Sequence, residues 1–141
     1  MDPEIRTSFH IAGDDFSPED ITQQLGIIPD EIWYKGDQVK NLKLIRKQTA
    51  WCLTSELETP SLNINDYIVP LIEVLYPKRE ILVSVCNGLG LYCEISCVIE
   101  IVNQAPILHL DPDISGKIHD LNTHLDFDIY CFREEDSERL C

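Results

Sequence analysis

Residues 80–102 constrain the fold more than any other stretch of this chain. They read Glu-Ile-Leu-Val-Ser-Val-Cys, then Asn87-Gly88-Leu89-Gly90, then Leu-Tyr-Cys-Glu-Ile-Ser-Cys-Val-Ile-Glu-Ile-Val. Two apolar, β-branched runs flank a glycine-bearing turn, which predicts a β-hairpin. The second run alternates. Cys93, Ile95, Cys97, Ile99 and Ile101 share one side, and Tyr92, Glu94, Ser96, Val98 and Glu100 share the other. Successive side chains of a strand point to opposite faces, so one face is core and the other meets water or a partner.

The remaining elements are read around that hairpin. Residues 5–12 alternate as a first strand, with Ile5, Thr7, Phe9 and Ile11 inward. Ser17, Pro18, Glu19 and Asp20 make a helix start of cap, proline and acids, and Gly26 ends that helix. Residues 29–49 form a long connection. Residues 50–56 form a strand with Trp51 and Leu53 inward. Apolar groups at 64, 67, 68, 71, 72 and 75 give a helical stripe, which Pro70 should kink or restart and Pro77 should end. Asn63 and Asn65 are its candidate caps. A short strand over 106–110 follows the hairpin. Asp111-Pro112-Asp113 opens a further helix, and residues 125–132 alternate as a closing strand. The expected fold is α+β: a single, mainly antiparallel sheet of about six strands, with about three helices on one face. One domain over 1–141 is expected, with a folded core at 5–132, a basic loop at 35–50 and a charged tail at 133–141.

Charge narrows the choice of partner. The chain has 25 acids against 11 bases, a net −14. Nucleic acid and anionic membrane would be repelled, whereas a basic protein would be attracted. Residues 35–50 depart from this balance. Five bases (Lys35, Lys40, Lys43, Arg46, Lys47) stand there against Asp37, so the loop carries +4 and the rest of the chain −18. The amino terminus has no apolar leader core, and no apolar run is long enough to span a bilayer. A reducing cytoplasm and six free cysteines are therefore expected, with Cys93 and Cys97 acting as small core hydrophobes.

Motifs for catalysis, cofactors and metals are missing. No phosphate-binding glycine loop, G-x-S-x-G or H-E-x-x-H occurs, and no paired cysteines announce a zinc site. His119 and His124 would diverge around a helix, so they are poor co-ligands. A thiol beside a base would be needed for nucleophilic catalysis. Cys52 and Cys86 are placed on the open sheet face near His10, with their adjacency set by an unknown strand order. No cofactor, no metal and no enzymatic activity are expected. The candidate surface is instead acidic and aromatic: Asp126, Asp128 and Tyr130 on the closing strand, and Glu94, Glu100 and Tyr92 on the hairpin. Carboxylates of this kind pair with Arg or Lys of a partner, and tyrosine adds rigid contact area. Trp33 and Tyr34, in the long connection, are further candidates.

The run from Phe9 through Ser17-Pro18-Glu19-Asp20-Ile21-Thr22 and Leu25-Gly26-Ile27 to Pro29 resembles a bacterial family of unknown function. Gly36-Asp37, the Trp51 strand, the proline-bearing helix and the closing Leu125-Asp126-Phe127-Asp128-Ile129-Tyr130 extend the resemblance across most of the chain. These motifs are caps, turns and core positions. The bases between Lys40 and Lys47 depart from the family pattern. The resemblance implies an association with toxin-immunity loci. The expected function is then an acidic immunity-type protein that covers the active site of a cognate toxin, a basic nuclease domain. A small-ligand sensor or enzyme using the open sheet face is the alternative, and an acidic nucleic-acid mimic a further one.

Overall fold

The computed structural model describes residues 3–132, so the expected tail at 133–141 lies outside the described residues. The elements in chain order are β1 (Glu4–Gly13), α1 (Pro18–Leu25), β2 (Glu31–Trp33), β3 (Thr49–Ser55), α2 (Asn65–Leu75), α3 (Arg79–Leu89), β4 (Tyr92–Ile101), α4 (Pro112–Asp120) and β5 (His124–Cys131). They build one five-stranded sheet in the order β2-β3-β1-β4-β5. Every neighbouring pair is antiparallel except β4 and β5, which are parallel. The α+β class and the single, mainly antiparallel sheet agree with the expectation.

Alternation puts the core on one face. Ile5, Phe9 and Ile11 of β1, Trp51 and Leu53 of β3, and Cys93, Ile95, Cys97 and Ile99 of β4 are all buried. Helices cover them with Ile21 and Leu25 of α1, Ile68, Leu71, Ile72 and Leu75 of α2, Leu82 and Cys86 of α3, and Ile114 and Ile118 of α4. The Trp51 ring meets Phe9 edge-on, with centroids 6.5 Å apart, and donates its indole N–H to Thr22 of α1 at 3.0 Å. That bond lets a large aromatic side chain be fully buried without stranding its polar atom. α2 runs through Pro70 without a restart. A 3₁₀ turn, Tyr76–Lys78, separates it from α3 at Pro77.

The expected hairpin is half right. Residues 92–101 are the strand and residues 79–89 are a helix. β3 and β4 lie on either side of β1 and run the same way, so the chain between them must cross the sheet rather than turn back. α2 and α3 make that crossing. Gly90, at φ 66°, is the left-handed residue that closes α3, and the Leu91 N–H returns to the Cys86 carbonyl at 2.8 Å. A short apolar run fits either a strand or a helix, and tertiary context decides here. The short strand at 106–110 is also absent. Ile107 instead makes one bridge to Asn63, exchanging bonds with Leu62 and Ile64. Two of the six expected strands are thus lost and one, β2, is gained within the expected connection over 29–49, which leaves five.

The two helix starts differ. Asp111 has extended backbone and accepts the Ile114 N–H at 2.9 Å. Ser17 is also extended, but its hydroxyl donates to Glu19 Oε2 at 3.1 Å and caps no backbone N–H. Asp111→Ala should therefore cost about 1 kcal/mol, the usual loss of a working cap, and Ser17→Ala well under half of that. Urea midpoints at constant slope read both values. Equal losses at the two sites would contradict this assignment of the caps.

Candidate functional site

The helices cover one side of the sheet and leave the other open. Strand register sets out the open face in rows. One row reads Glu31, Cys52, His10, Glu94, His124 from β2 across to β5. Its neighbour on one side reads Trp33, Ala50, Ala12, Tyr92. On the other side come Thr54, Ser8, Ser96, Asp126, then Arg6, Val98, Asp128, and finally Glu4, Glu100, Tyr130.

Six of the eight candidates from the sequence thus meet on two adjacent strands. Tyr92, Glu94 and Glu100 project from β4, and Asp126, Asp128 and Tyr130 from β5. The parallel pairing of these strands sets Glu100 opposite Tyr130. Every residue of β5 except the half-buried Leu125 is exposed, because among the described residues β5 is the sheet edge and no helix covers its end. The Tyr130 hydroxyl donates to Asp128 at 2.9 Å, which orients the carboxylate and raises the tyrosine pKa. Tyr92 stacks flat on His124, with centroids 4.2 Å apart and planes 16° apart. Loss of hydration, followed by Glu94, raises the Tyr92 pKa. Arg6 is the cation among these acids, reaching Glu4 at 3.1 Å and Glu100 at 3.3 Å.

Trp33 shares the open face but sits toward the opposite edge, across Ala50 and Ala12 from Tyr92. These alanines floor a shallow depression of about 320 Å³ between the two aromatic residues. Tyr34 points the other way, its hydroxyl donating to Glu19 on α1, so it leaves the candidate surface. The basic segment is not a plain loop. Gln38 and Ile45 bridge, the Gly36 N–H donates to the Arg46 carbonyl and the Arg46 N–H to the Asp37 carbonyl, closing a small arm. Arg46 lies 3.7 Å over the Trp33 ring and 3.9 Å from Glu31. The open face thus carries Trp33 and the Arg46–Glu31 pair along β2, and is acidic and aromatic along β4 and β5.

The structure also joins His10 to Cys52, whose adjacency depended on the strand order. The Cys52 sulfur lies 3.1 Å from His10 Nδ1, and the Ser8 hydroxyl 2.7 Å from Nε2. Cys86 is not part of this group. It faces the core from α3, where the Cys93 thiol donates to its sulfur at 3.4 Å. Burial lowers the His10 pKa, with Glu31 opposing. Burial, then Glu31, pushes the Cys52 thiol up to about 12. The pair has the distance of a thiol–base dyad, but a reactive cysteine needs a depressed pKa. Cys131, at the end of β5, is disulfide-bonded, which corrects the expectation of six free thiols. Cys52, Cys86, Cys93 and Cys97 are free and buried. Among the described residues no cluster of three or more His, Cys, Asp or Glu could hold a metal ion, and no helix is long and apolar enough to cross a membrane.

The chain belongs to a domain family of unknown function, DUF4279, which matches residues 3–132. No curated protein and no solved structure matches it.

The half-buried imidazole gives a pH test. Its folded pKa lies below the ordinary 6.5, so near and below that value the unfolded chain binds the proton first. Stability is then complete above 6.5 and is lost as the pH falls below it. Urea midpoints on either side of this pH should show a smaller acid loss in His10→Gln than in the wild type. An identical acid loss in both proteins would show that His10 carries none of it. In the native protein Cys52 should also resist alkylation at neutral pH and react once urea unfolds the chain; rapid native alkylation would mean an accessible thiolate.

Proposed function

We propose that this protein is an immunity-type inhibitor that docks the open face of β4 and β5 onto the basic active-site cleft of a cognate toxin. The observation that carries the reading is the gathering of Glu94, Glu100, Asp126 and Asp128 with Tyr92 and Tyr130 on two adjacent, uncovered strands. A nuclease acts on an anion, so its cleft presents Lys and Arg. Carboxylates at strand spacing offer charge-assisted hydrogen bonds to those groups. Tyr92, held flat by His124, and Tyr130, held by Asp128, supply rigid aromatic contact at low entropic cost.

Such a protein works by occupancy. It needs no nucleophile or cofactor, in keeping with a His10–Cys52 pair whose thiol is held far from ionisation. The net charge of −14 adds long-range steering, which raises the encounter rate with a basic partner. The toxin as the specific partner rests on the resemblance of the chain to proteins of toxin-immunity loci.

Kinetics against the toxin domain of the same locus test the reading. Association should slow sharply between low and high salt while dissociation changes less, because steering is screened over about 8 Å at physiological ionic strength. Replacing Asp126 and Asp128 together by Lys should weaken the complex by about 2 kcal/mol or more, roughly 30-fold in Kd. Both side chains are exposed, so circular dichroism should be unchanged. Normal binding by the double variant, with association indifferent to salt, would end the acidic-face model.

A further inference from the structure

We propose that Cys86 and Cys93 are a reversible oxidation site: hydrogen peroxide converts the two thiols to a disulfide that ties the last turn of α3 to the start of β4. The inference does not depend on the toxin reading. Cys86 on α3 and Cys93 on β4 both face the core, each 4% exposed. The Cys93 thiol donates to the Cys86 sulfur at 3.4 Å. The backbone holds them in place. Gly90 turns the chain in left-handed conformation, and the Leu91 N–H returns to the Cys86 carbonyl at 2.8 Å. A disulfide needs its sulfurs about 2.05 Å apart, so the remaining approach is of side-chain size. No other described free thiol competes. Cys97 lies four residues further along the same strand, about 13 Å away by strand rise. Cys52 is on the other side of the sheet, with its sulfur against His10. The pair also sits at a corner. The β4–β5 ladder begins at Glu94, so among the described strands Cys93 is flanked by β1 alone, at Ile11.

The two sulfurs differ, and the difference sets the order of steps. The hydrogen bond from Cys93 lowers the Cys86 pKa against the effect of burial. The same bond, then burial, raises that of Cys93. The thiolate is the reacting form, so Cys86 is the nucleophile and Cys93 the resolving thiol. The Cys86 thiolate attacks one peroxide oxygen. The S–O bond forms, the O–O bond breaks, and the departing hydroxide takes the proton Cys86 gave up and leaves as water. The product is a sulfenic acid, which a neighbouring thiol condenses with. The Cys93 sulfur attacks the Cys86 sulfur. The S–S bond forms, the S–O bond breaks, and hydroxide leaves with the Cys93 proton as a second water. The two thiols lose two electrons and two protons, and the peroxide is reduced to water. A dithiol reverses the step by thiolate attack on sulfur. Tyr92, which stacks on His124, lies inside the loop that the new bond closes, so oxidation stiffens one end of the open face.

Hydrogen peroxide is titrated into the native full chain, the excess is destroyed with catalase, and free thiols are alkylated in urea before peptide mapping. Cys86 and Cys93 should lose alkylation together, in a peptide lighter by two hydrogen atoms than its dithiol form. Cys52 and Cys97 should stay alkylated, and dithiothreitol should restore Cys86 and Cys93. Cys93→Ser should stop at the sulfenic acid of Cys86, which dimedone traps, and Cys86→Ser should leave Cys93 reduced. The urea midpoint of the wild type should rise on oxidation, because a cross-link constrains the unfolded chain. The midpoint of Cys86→Ser should not respond to peroxide. Mapping of the wild type needs no variant, so a serine variant that folds poorly leaves the test intact. Four results would overturn the proposal: both thiols still alkylated at peroxide doses that oxidise glutathione, Cys52 or Cys97 oxidised first, Cys86 oxidised without a bond to Cys93, or a disulfide that leaves the midpoint unchanged or lower.

Discussion

The alternation of side chains along β1 is the constraint on which the rest of the molecule depends. β1 lies at the centre of the sheet, paired with β3 over seven residues and with β4 over nine. Phe9 and Ile11 point to the helices and are fully buried, while Ser8, His10 and Ala12 point to the open face. A one-residue slip in either ladder would exchange these sets, stranding two large apolar groups in water and an imidazole in the core. The hydrophobic face therefore locks the register, and the register locks which polar groups meet. The Glu31–Cys52–His10–Glu94–His124 row follows from core packing on the opposite side of the sheet.

The same logic accounts for the uneven charge of the open face. β4 to β5 is a parallel connection and needs a crossover, which α4 provides. That crossover leaves β5 at the edge, beyond the cover of the helices, with Phe127 and Ile129 partly exposed on one face and Asp126 and Asp128 on the other. An exposed edge strand invites pairing with other chains, and charges along it discourage that. The acids of β5 thus protect the edge from indiscriminate pairing while leaving it attractive to a basic surface. At the opposite edge the arm closes over Trp33 through Arg46, placing that cation across the sheet from the carboxylates of β5. The separation gives the open face a direction, and a docking partner would feel it as orientation.

Much of this was legible in the residues. The alternation of Cys93 to Ile101, the inward set of β1, the Trp51 strand and the helical stripe from Ile64 to Leu75 each carry their own periodicity, and each is where it was expected. The acidic and aromatic group was legible as two outward sets, because face membership follows from alternation alone. What local pattern could not convey was strand order. With that order unknown, Ile81, Val83 and Val85 read as a strand. The need to cross from β3 to β4 makes them helical, and the spacing of Leu82 and Cys86 by one helical turn was the available signal. Ser17 was read from its neighbours as a backbone cap, but its hydroxyl goes to the nearby Glu19 carboxylate. The contact of His10 with Cys52 and the alanine floor between Trp33 and Tyr92 exist only through cross-strand register, so neither has a sequence signature. Tyr34 misled for a simpler reason: it lies just past the end of β2, where its hydroxyl turns to Glu19 on α1.

The central claim is that the uncovered acidic face of β4 and β5 is the surface a basic partner covers. Backbone hydrogen exchange of the full chain, alone and saturated with the toxin domain of its locus, tests it most directly. The account predicts slowed exchange along β5 and the outer part of β4, since among the described residues no strand flanks the outer edge of β5. The helices α1 to α3 should exchange as in the free protein. Protection concentrated on those helices, with β5 exchanging as fast as before, would contradict it.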